Sequence, residues 1–208
     1  GIDASGLELR MLSHYMNDAI FTDEILNGDV HTANQKLAGL KTRDIAKTFI
    51  YALMYGAGDA RLGNVMNAGA KAGKKSRELF FENKPAFKKL SDKVKAVARA
   101  RGYVKGLDGR VIWIRNEHAS LNSLLQGAGA IVMKKALVLL DKHLKDADFK
   151  YKFVANIHDE WQMEVPKETA DLIGNIGVRA IREAGEHYKL RCPLDGEYKY
   201  GRNWSETH

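Results

Sequence analysis

Strand-like sequence occupies two separate parts of this chain, and what lies between them reads as helix. That segregation limits the fold more than any other feature. Gly1-Ile-Asp-Ala4 looks like the end of a strand. Gly6 to about Asn17 is helical in pattern, with Leu9, Leu12 and Met16 close to one face. Gly28–Gln35 reads as a turn entering a short helix, and further helices are expected over Arg43–Tyr55, Asp59–Met66, Ala70–Asn83 and Pro85–Arg101. Strand patterns return at Gly102. Gly102–Lys105 and Arg110–Ile114 flank the turn Gly106-Leu-Asp-Gly109. Tyr151–Ile157 and Trp161–Val165 bracket His158-Asp159-Glu160, and a short strand is expected near Tyr198. His118–Lys145 and Lys167–His187 complete the helices. One strand, a long helical block, then strands mixed with helices predicts an α+β fold: a sheet with a helical insertion.

The stretch from Arg43 to Gly58 suggests chemistry. It lacks proline, favours helix, and closes on Gly56 and Gly58. Arg43, Lys47, Tyr51 and Tyr55 recur every four residues, so each is turned about 40° from the last and the four share one slowly drifting face. Two cations followed by two rings suit a ligand with a polyanion at one end and a flat ring at the other, as in a nucleoside triphosphate. An ordinary amphipathic surface helix fits the same spacing.

Asp3 ends one strand and Asp159 lies in the turn between two others. Carboxylates from separate strand ends can converge on Mg²⁺, which accepts one or two carboxylates plus substrate phosphates. Two such ions about 4 Å apart serve in-line phosphoryl transfer. Both aspartates are also common turn residues. Alternation of Phe153, Ala155 and Ile157 predicts one shared face on the strand leading to Asp159. His118, Asn122, Gln126 and Gly129 form a polar stripe opposite much of the apolar side of the long helix. Such a stripe is either an exposed polar face or a set of minor-groove contacts. Gly69–Ser76 hints at a phosphate loop, but Ala68 and Lys75 stand where that motif needs glycine and Ser or Thr.

Bulk properties set outer bounds. With 208 residues and 45% hydrophobic content the chain can bury a sizeable core. A net charge of +7 favours a polyanionic partner, either nucleic acid or an acidic membrane surface. The single cysteine, Cys192, excludes an intrachain disulfide and fits a reducing compartment. No run approaches 18 consecutive apolar residues, so no transmembrane helix is expected, and no signal peptide is visible. The opening Gly-Ile-Asp, without Met, leads us to expect a longer polypeptide.

Three motifs carry a family resemblance. Asp3-Ala-Ser-Gly-Leu-Glu8-Leu-Arg10 resembles motif A of family A DNA polymerases. Arg43-x3-Lys47-x3-Tyr51-x3-Tyr55-Gly resembles motif B, and Val154-Ala-Asn-Ile-His158-Asp159-Glu160 resembles motif C. Ala-Ser-Gly-Leu-Glu, Gly28-Asp-Val-His31-Thr and Lys47-Thr-Phe-Ile-Tyr51 resemble the replicative polymerases of short-tailed phages. The resemblance implies an antiparallel palm sheet with a helical fingers insertion. Residues 1–20 would be palm, 21–101 fingers with the motif B helix at 43–56, and 102–208 palm again.

It also implies roles. Asp3 and Asp159 would hold two Mg²⁺ ions, with the Ala4 carbonyl assisting and Glu160 beside them. Arg43 and Lys47 would grip the triphosphate with help from His31, and Lys47 would also act as the general acid. Tyr51 would stack near the 3′ position of the nucleotide, so dideoxynucleotides should be accepted readily. Glu8 would crowd a ribose 2′-OH, and Tyr55 would close the pocket near the templating base. Asn122, Gln126, Arg110, Arg115 and His158 would contact DNA, and Asn203-Trp204-x3-His208 matches the family's C-terminus. The implied partners are primer-template DNA and dNTPs, with no membrane, for a monomer in the cytoplasm of a phage-infected bacterium. A processivity factor is not specified. Two other readings stand beside this one: a truncated fragment that binds nucleotide or DNA without efficient catalysis, and a nucleotide-binding protein that is not a polymerase.

Overall fold

The computed structural model describes residues 1–207. In chain order its elements are β1 (Ile2–Ala4), α1 (Leu7–Met16), α2 (Ala19–Leu26), α3 (Val30–Leu37), α4 (Arg43–Met54), α5 (Asp59–Val65), α6 (Ala70–Asn83) and α7 (Pro85–Arg101). There follow β2 (Tyr103–Lys105), β3 (Val111–Trp113), α8 (Ser120–Asp146), β4 (Lys152–Ile157), β5 (Glu160–Glu164), α9 (Ala170–His187), β6 (Gly196–Tyr198) and α10 (Trp204–Thr207). Single 3₁₀ turns, Glu117–Ala119 and Lys167–Thr169, precede α8 and α9. The α+β class expected from the sequence is the one observed.

The chain divides into two compact units. Gly1–Met11 and Gly127–His208 form the first, and Leu12–Gln126 forms the second. The divisions fall inside α1 and α8. The first unit holds a four-stranded sheet of order β4-β5-β1-β6, antiparallel throughout. Its first strand in sequence therefore sits between strands from the far end of the chain. The small residues Ala180 and Ala184 of α9 are buried with Ile173 and Ile181, and Gly177 leaves room for Ile2 of β1. Trp161 on β5 is fully buried.

One strand departs from expectation. β4 lies at the sheet edge, and its register shifts between Phe153 and Ala155, which pair with the consecutive residues Met163 and Gln162. A bulge breaks the period of two. Phe153 and Val154 are exposed at 39% and 67%, so the strand does not present one continuous apolar face.

The second unit is mostly helical, and local caps explain its punctuation. Asp18, Asp29 and Thr42 accept backbone N–H bonds at the starts of α2, α3 and α4. Pro85 opens α7, and Gly102 in the left-handed region closes it. The β2–β3 hairpin also belongs here, so the unit is wider than residues 21–101. The sequence pattern did not anticipate α2, whose apolar residues Ile20 and Leu26 are exposed while Phe21 alone is buried. Asp18 as a cap was the only signal. The segment that hinted at a phosphate loop is the start of α6. Its Gly73 packs against the backbone of Gly63 in α5, which leaves no room for a ligand at that glycine.

The segment Glu117–Asp146 is long and apolar enough to cross a bilayer by length and composition alone, which counting consecutive apolar residues did not foresee. Half of its apolar window is buried inside the protein, and Leu125, Val132 and Leu140 are core side chains.

Candidate active site

In the first unit the carboxylates are brought together by strand register. Asp3 pairs with Glu160 on one side and Glu197 on the other. Directly opposed residues of antiparallel strands share a face, so three acidic side chains form one cross-strand row. The Ala4 N–H donates to the Asp159 carbonyl at 3.1 Å, which ties the β4–β5 turn to the end of β1. That turn is two residues long, and His158 takes a left-handed φ of 55° within it. Asp3, His158, Asp159, Glu160 and Glu197 line one cleft of about 310 Å³. A larger cleft of about 760 Å³, walled by Val154, Met163 and Trp204, includes neither Asp3 nor Asp159.

The cleft is electrostatically strained. Partial burial pushes the Asp3 carboxyl up to about 6, and the charges of Asp159 and Glu160 add to the effect. Glu160 is buried and accepts a hydrogen bond from the Gln162 amide. Behind Asp3, the buried Arg10 fixes the loop into α1. Its Nε donates to the Ser5 carbonyl at 2.7 Å and its Nη1 to the Pro193 carbonyl. Glu8 stands half-exposed in the first turn of α1. Among the described residues, no three His, Cys, Asp or Glu side chains are arranged to hold a metal by themselves. Mutually repelling hard oxygen donors, too few to complete a shell, suit Mg²⁺, which draws its remaining ligands from substrate and water.

In the second unit, α4 buries Ala46, Phe49, Ile50, Leu53 and Met54 and turns Arg43 and Lys47 to solvent. The helix stops at Met54. Tyr55 is its cap and is 45% exposed. Gly56 follows at φ 78°, and a β-carbon there would strike the His118 carbonyl. The Tyr51 ring lies 6.3 Å from both Tyr55 and His31. His31 is partly buried, and its Nδ1 has no hydrogen-bonding partner. Burial, then the charges of Arg43 and Lys47, lower its proton affinity and keep the ring neutral near pH 7.

The two cations differ. Lys47 makes no ion pair among the described residues, whereas the Arg43 Nε donates to Asp29 Oδ2 at 2.7 Å. The sequence reading missed Asp29. An Asp immediately before Val-His-Thr is a helix-cap signal, but its contact with Arg43 spans two helices and has no sequence signature.

The remaining candidates are spread through both units, on α8, in and after the β2–β3 hairpin, at the β4–β5 turn and on α10. The expected stripe on α8 is shorter than predicted. His118 lies in the preceding 3₁₀ turn, and Gly129 is buried against Leu7. Asn122 is half-buried, with its Oδ1 unpartnered, and Gln126 is exposed. Arg110 is held by Asp108 at 2.7 Å, while Arg115 is exposed without an ion pair among the described residues. His158 is exposed. In the C-terminal match, Trp204 lies in α10 and is 49% exposed, and His208 falls outside the described residues.

The three motifs fall into an ordered frame: A on β1 and the start of α1, B on α4, and C on the β4–β5 turn. A family profile described as DNA polymerase family A matches residues 1–206. The chain belongs to that family. Its whole length aligns with the DNA-directed DNA polymerases of Enterobacteria phage T3 and Escherichia phage T7, at 44% and 42% identity. It covers 33% of each, so the chain spans about a third of these relatives. DNA polymerase I of Lactococcus lactis is 31% identical over 99% of the chain and is covered to 26%. The phage likeness expected from the motifs is therefore present. Among solved structures, the POL domain of Pol1 from M. smegmatis, in complex with DNA primer-template and dNTP, superposes with a TM-score of 0.88. It covers 99% of this family A chain and 40% of its own, at 24% identity, and shares the fold.

Proposed function

We propose that this chain is the polymerising part of a template-directed DNA polymerase. The observation that carries the reading is the coincidence of family A membership with two aspartates converging on one cleft. In the reaction, a primer 3′-oxygen attacks the α-phosphorus of a dNTP. The new O–P bond forms as the bond to pyrophosphate breaks.

Asp3 and Asp159 are the residues that would hold Mg²⁺, with the Ala4 carbonyl and Glu160 next to them. Bound there, two Mg²⁺ ions supply an activated attacking oxygen and charge neutralisation on the leaving group. The protein's own groups do the rest. Arg43 and Lys47 bind the triphosphate, and charge growing on the leaving pyrophosphate strengthens both contacts in the transition state. The Lys47 ammonium hands a proton to the departing oxygen. His31, neutral when no nucleotide is bound, adds a hydrogen bond to phosphate. The Tyr51 ring packs beside the sugar and base, and Tyr55 stands near the templating base. Glu8 excludes a ribose 2′-OH. Asn122 and Gln126 contact minor-groove acceptors, which differ little between base pairs. Arg110, Arg115 and His158 contact the backbone. The setting we assign is the cytoplasm of a phage-infected bacterium, with the protein acting as a monomer.

Primer extension with Mg²⁺ and dNTPs, comparing the chain with its Asp159→Ala variant, tests the proposal. Extension by the first alone, with both folded by circular dichroism, is the expected result. Equal extension by both would remove the metal assignment. Extension by neither, with dNTP binding retained, would leave the nucleotide-binding fragment as the better reading.

A further inference from the structure

Asp29 has no role in the scheme above, yet it is the most heavily bonded carboxylate near the α4 cations. Its Oδ1 accepts from the backbone N–H groups of His31 and Thr32, at 3.1 and 3.3 Å. Its Oδ2 accepts from the Thr32 hydroxyl at 2.8 Å and from the Arg43 Nε at 2.7 Å. One side chain thus caps the helix that carries His31 and holds the guanidinium of Arg43. The division of labour on Arg43 matters most. Only Nε is engaged, and among the described residues the two terminal Nη groups have no partner.

We infer that Asp29 is a positioning residue for triphosphate binding, fixing Arg43 by its Nε–H so that both Nη groups face the phosphates. The inference rests on the nucleotide reading of α4 given above. A guanidinium carries five N–H donors in a planar fork, so a carboxylate on the Nε edge orients the plane without occupying the terminal nitrogens. An exposed arginine otherwise samples many rotamers, and ordering it costs affinity when the ligand arrives. The Arg43 side chain is 50% exposed, so packing does not hold it in place. The tight hold on both partners agrees with the directions of their protonation: Arg43 and the α3 cap depress the Asp29 carboxyl well below the usual range, and Asp29 raises Arg43.

A competing effect has the opposite sign. Asp29 is an anion near the phosphate site, so by simple charge its removal should tighten binding. At ionic strength near 0.15 M, screening weakens that effect for exposed groups, while the orientation of the fork persists. The sign of the change therefore separates the two roles.

The test is equilibrium binding of dATP to the full 208-residue chain at that ionic strength. Four proteins are compared: the unsubstituted chain, Asp29→Asn, Arg43→Ala, and the double variant. Asparagine caps helices as well as aspartate does, so α3 should stay formed, which circular dichroism checks. We expect Asp29→Asn to weaken dATP binding about five- to tenfold and Arg43→Ala to weaken it more. The double variant should equal Arg43→Ala, because Asp29 acts through Arg43. Unchanged or tighter binding by Asp29→Asn, beside a weakened Arg43→Ala, overturns the positioning role. So does a multiplicative effect in the double variant, since that would mark a merely structural part for Asp29. If the unsubstituted chain does not bind dATP saturably, or Arg43→Ala has no effect, the nucleotide reading itself fails and takes this inference with it.

Discussion

The carboxylate cleft and the cationic face of α4 handle charge in opposite ways. In the cleft, Asp3, Glu160 and Glu197 are aligned by strand register, and the nearest charges that act on Asp3 are all negative. Strand register fixes the backbone positions from which these carboxylates project. On α4 the charges sit on flexible stems in water, and one of the two already has a counter-charge in Asp29. The backbone positions of the anionic site are thus fixed and the charges acting on Asp3 repel it, whereas the cationic site is compliant and half neutralised. Carboxylates held in mutual repulsion suit the Mg²⁺ of the proposed mechanism. An exposed ion pair is worth little and exchanges readily, which suits the transient triphosphate of the proposed reaction.

Breaking each side should therefore have a different size of effect. Asp159→Ala removes a fixed donor and should reduce primer extension to background. On the proposed mechanism, Lys47→Ala should lower the extension rate by about 10²–10³-fold, measured in single-turnover assays. A loss as complete as that of Asp159→Ala would show that the cationic site is as indispensable as the anionic one. Glu8→Ala should relax sugar selectivity, raising ribonucleotide incorporation by roughly 10-fold or more against dNTPs. Unchanged selectivity would reject its place beside the sugar.

The smallest effect is on stability, and it tests the strain itself. The Asp3 carboxyl titrates near 6 in the folded protein, above its ordinary value of 3.8. The folded state then holds the proton more tightly than the unfolded one. Its contribution is fully present below pH 4 and is lost as pH rises through 6. In chelated buffer at pH 7.5, Asp3→Asn should accordingly melt a few degrees higher than the unsubstituted chain, on the order of 2–4 °C. Near pH 3.5 the two should coincide. Millimolar Mg²⁺ should raise the melting temperature of the unsubstituted chain at pH 7.5 and leave Asp3→Asn nearly unmoved. Equal melting temperatures at both pH values would mean that the carboxylate row is not strained.

How much of this was legible in sequence depends on how local the cause was. The α4 face could be read because helix geometry relates Arg43, Lys47 and Tyr51 without reference to anything else. The glycine stop after Tyr55 was equally local, although the His118 carbonyl that makes glycine obligatory at 56 was not visible. The alternation expected of β4 failed because a bulge arises between two strands, in the register of β4 with β5. The α8 stripe was partly wrong because spacing alone could not tell that Gly129 faces Leu7. α2 escaped notice because only one of its apolar residues is buried.

By itself the sequence determined the α+β class, the order of most elements, the family motifs and the face shared by the α4 residues. Each of these follows from short-range periodicity, capping, turn chemistry or a contiguous motif. Only the tertiary structure decided that Asp3 and Asp159 share a cleft. Pairing of β1 with β5 sets that, and strand pairing over such a sequence separation is specified by the whole buried sheet. The tertiary structure also decided that Arg43 is held from the side by Asp29. That contact joins two helices whose mutual placement depends on the packed core beneath them.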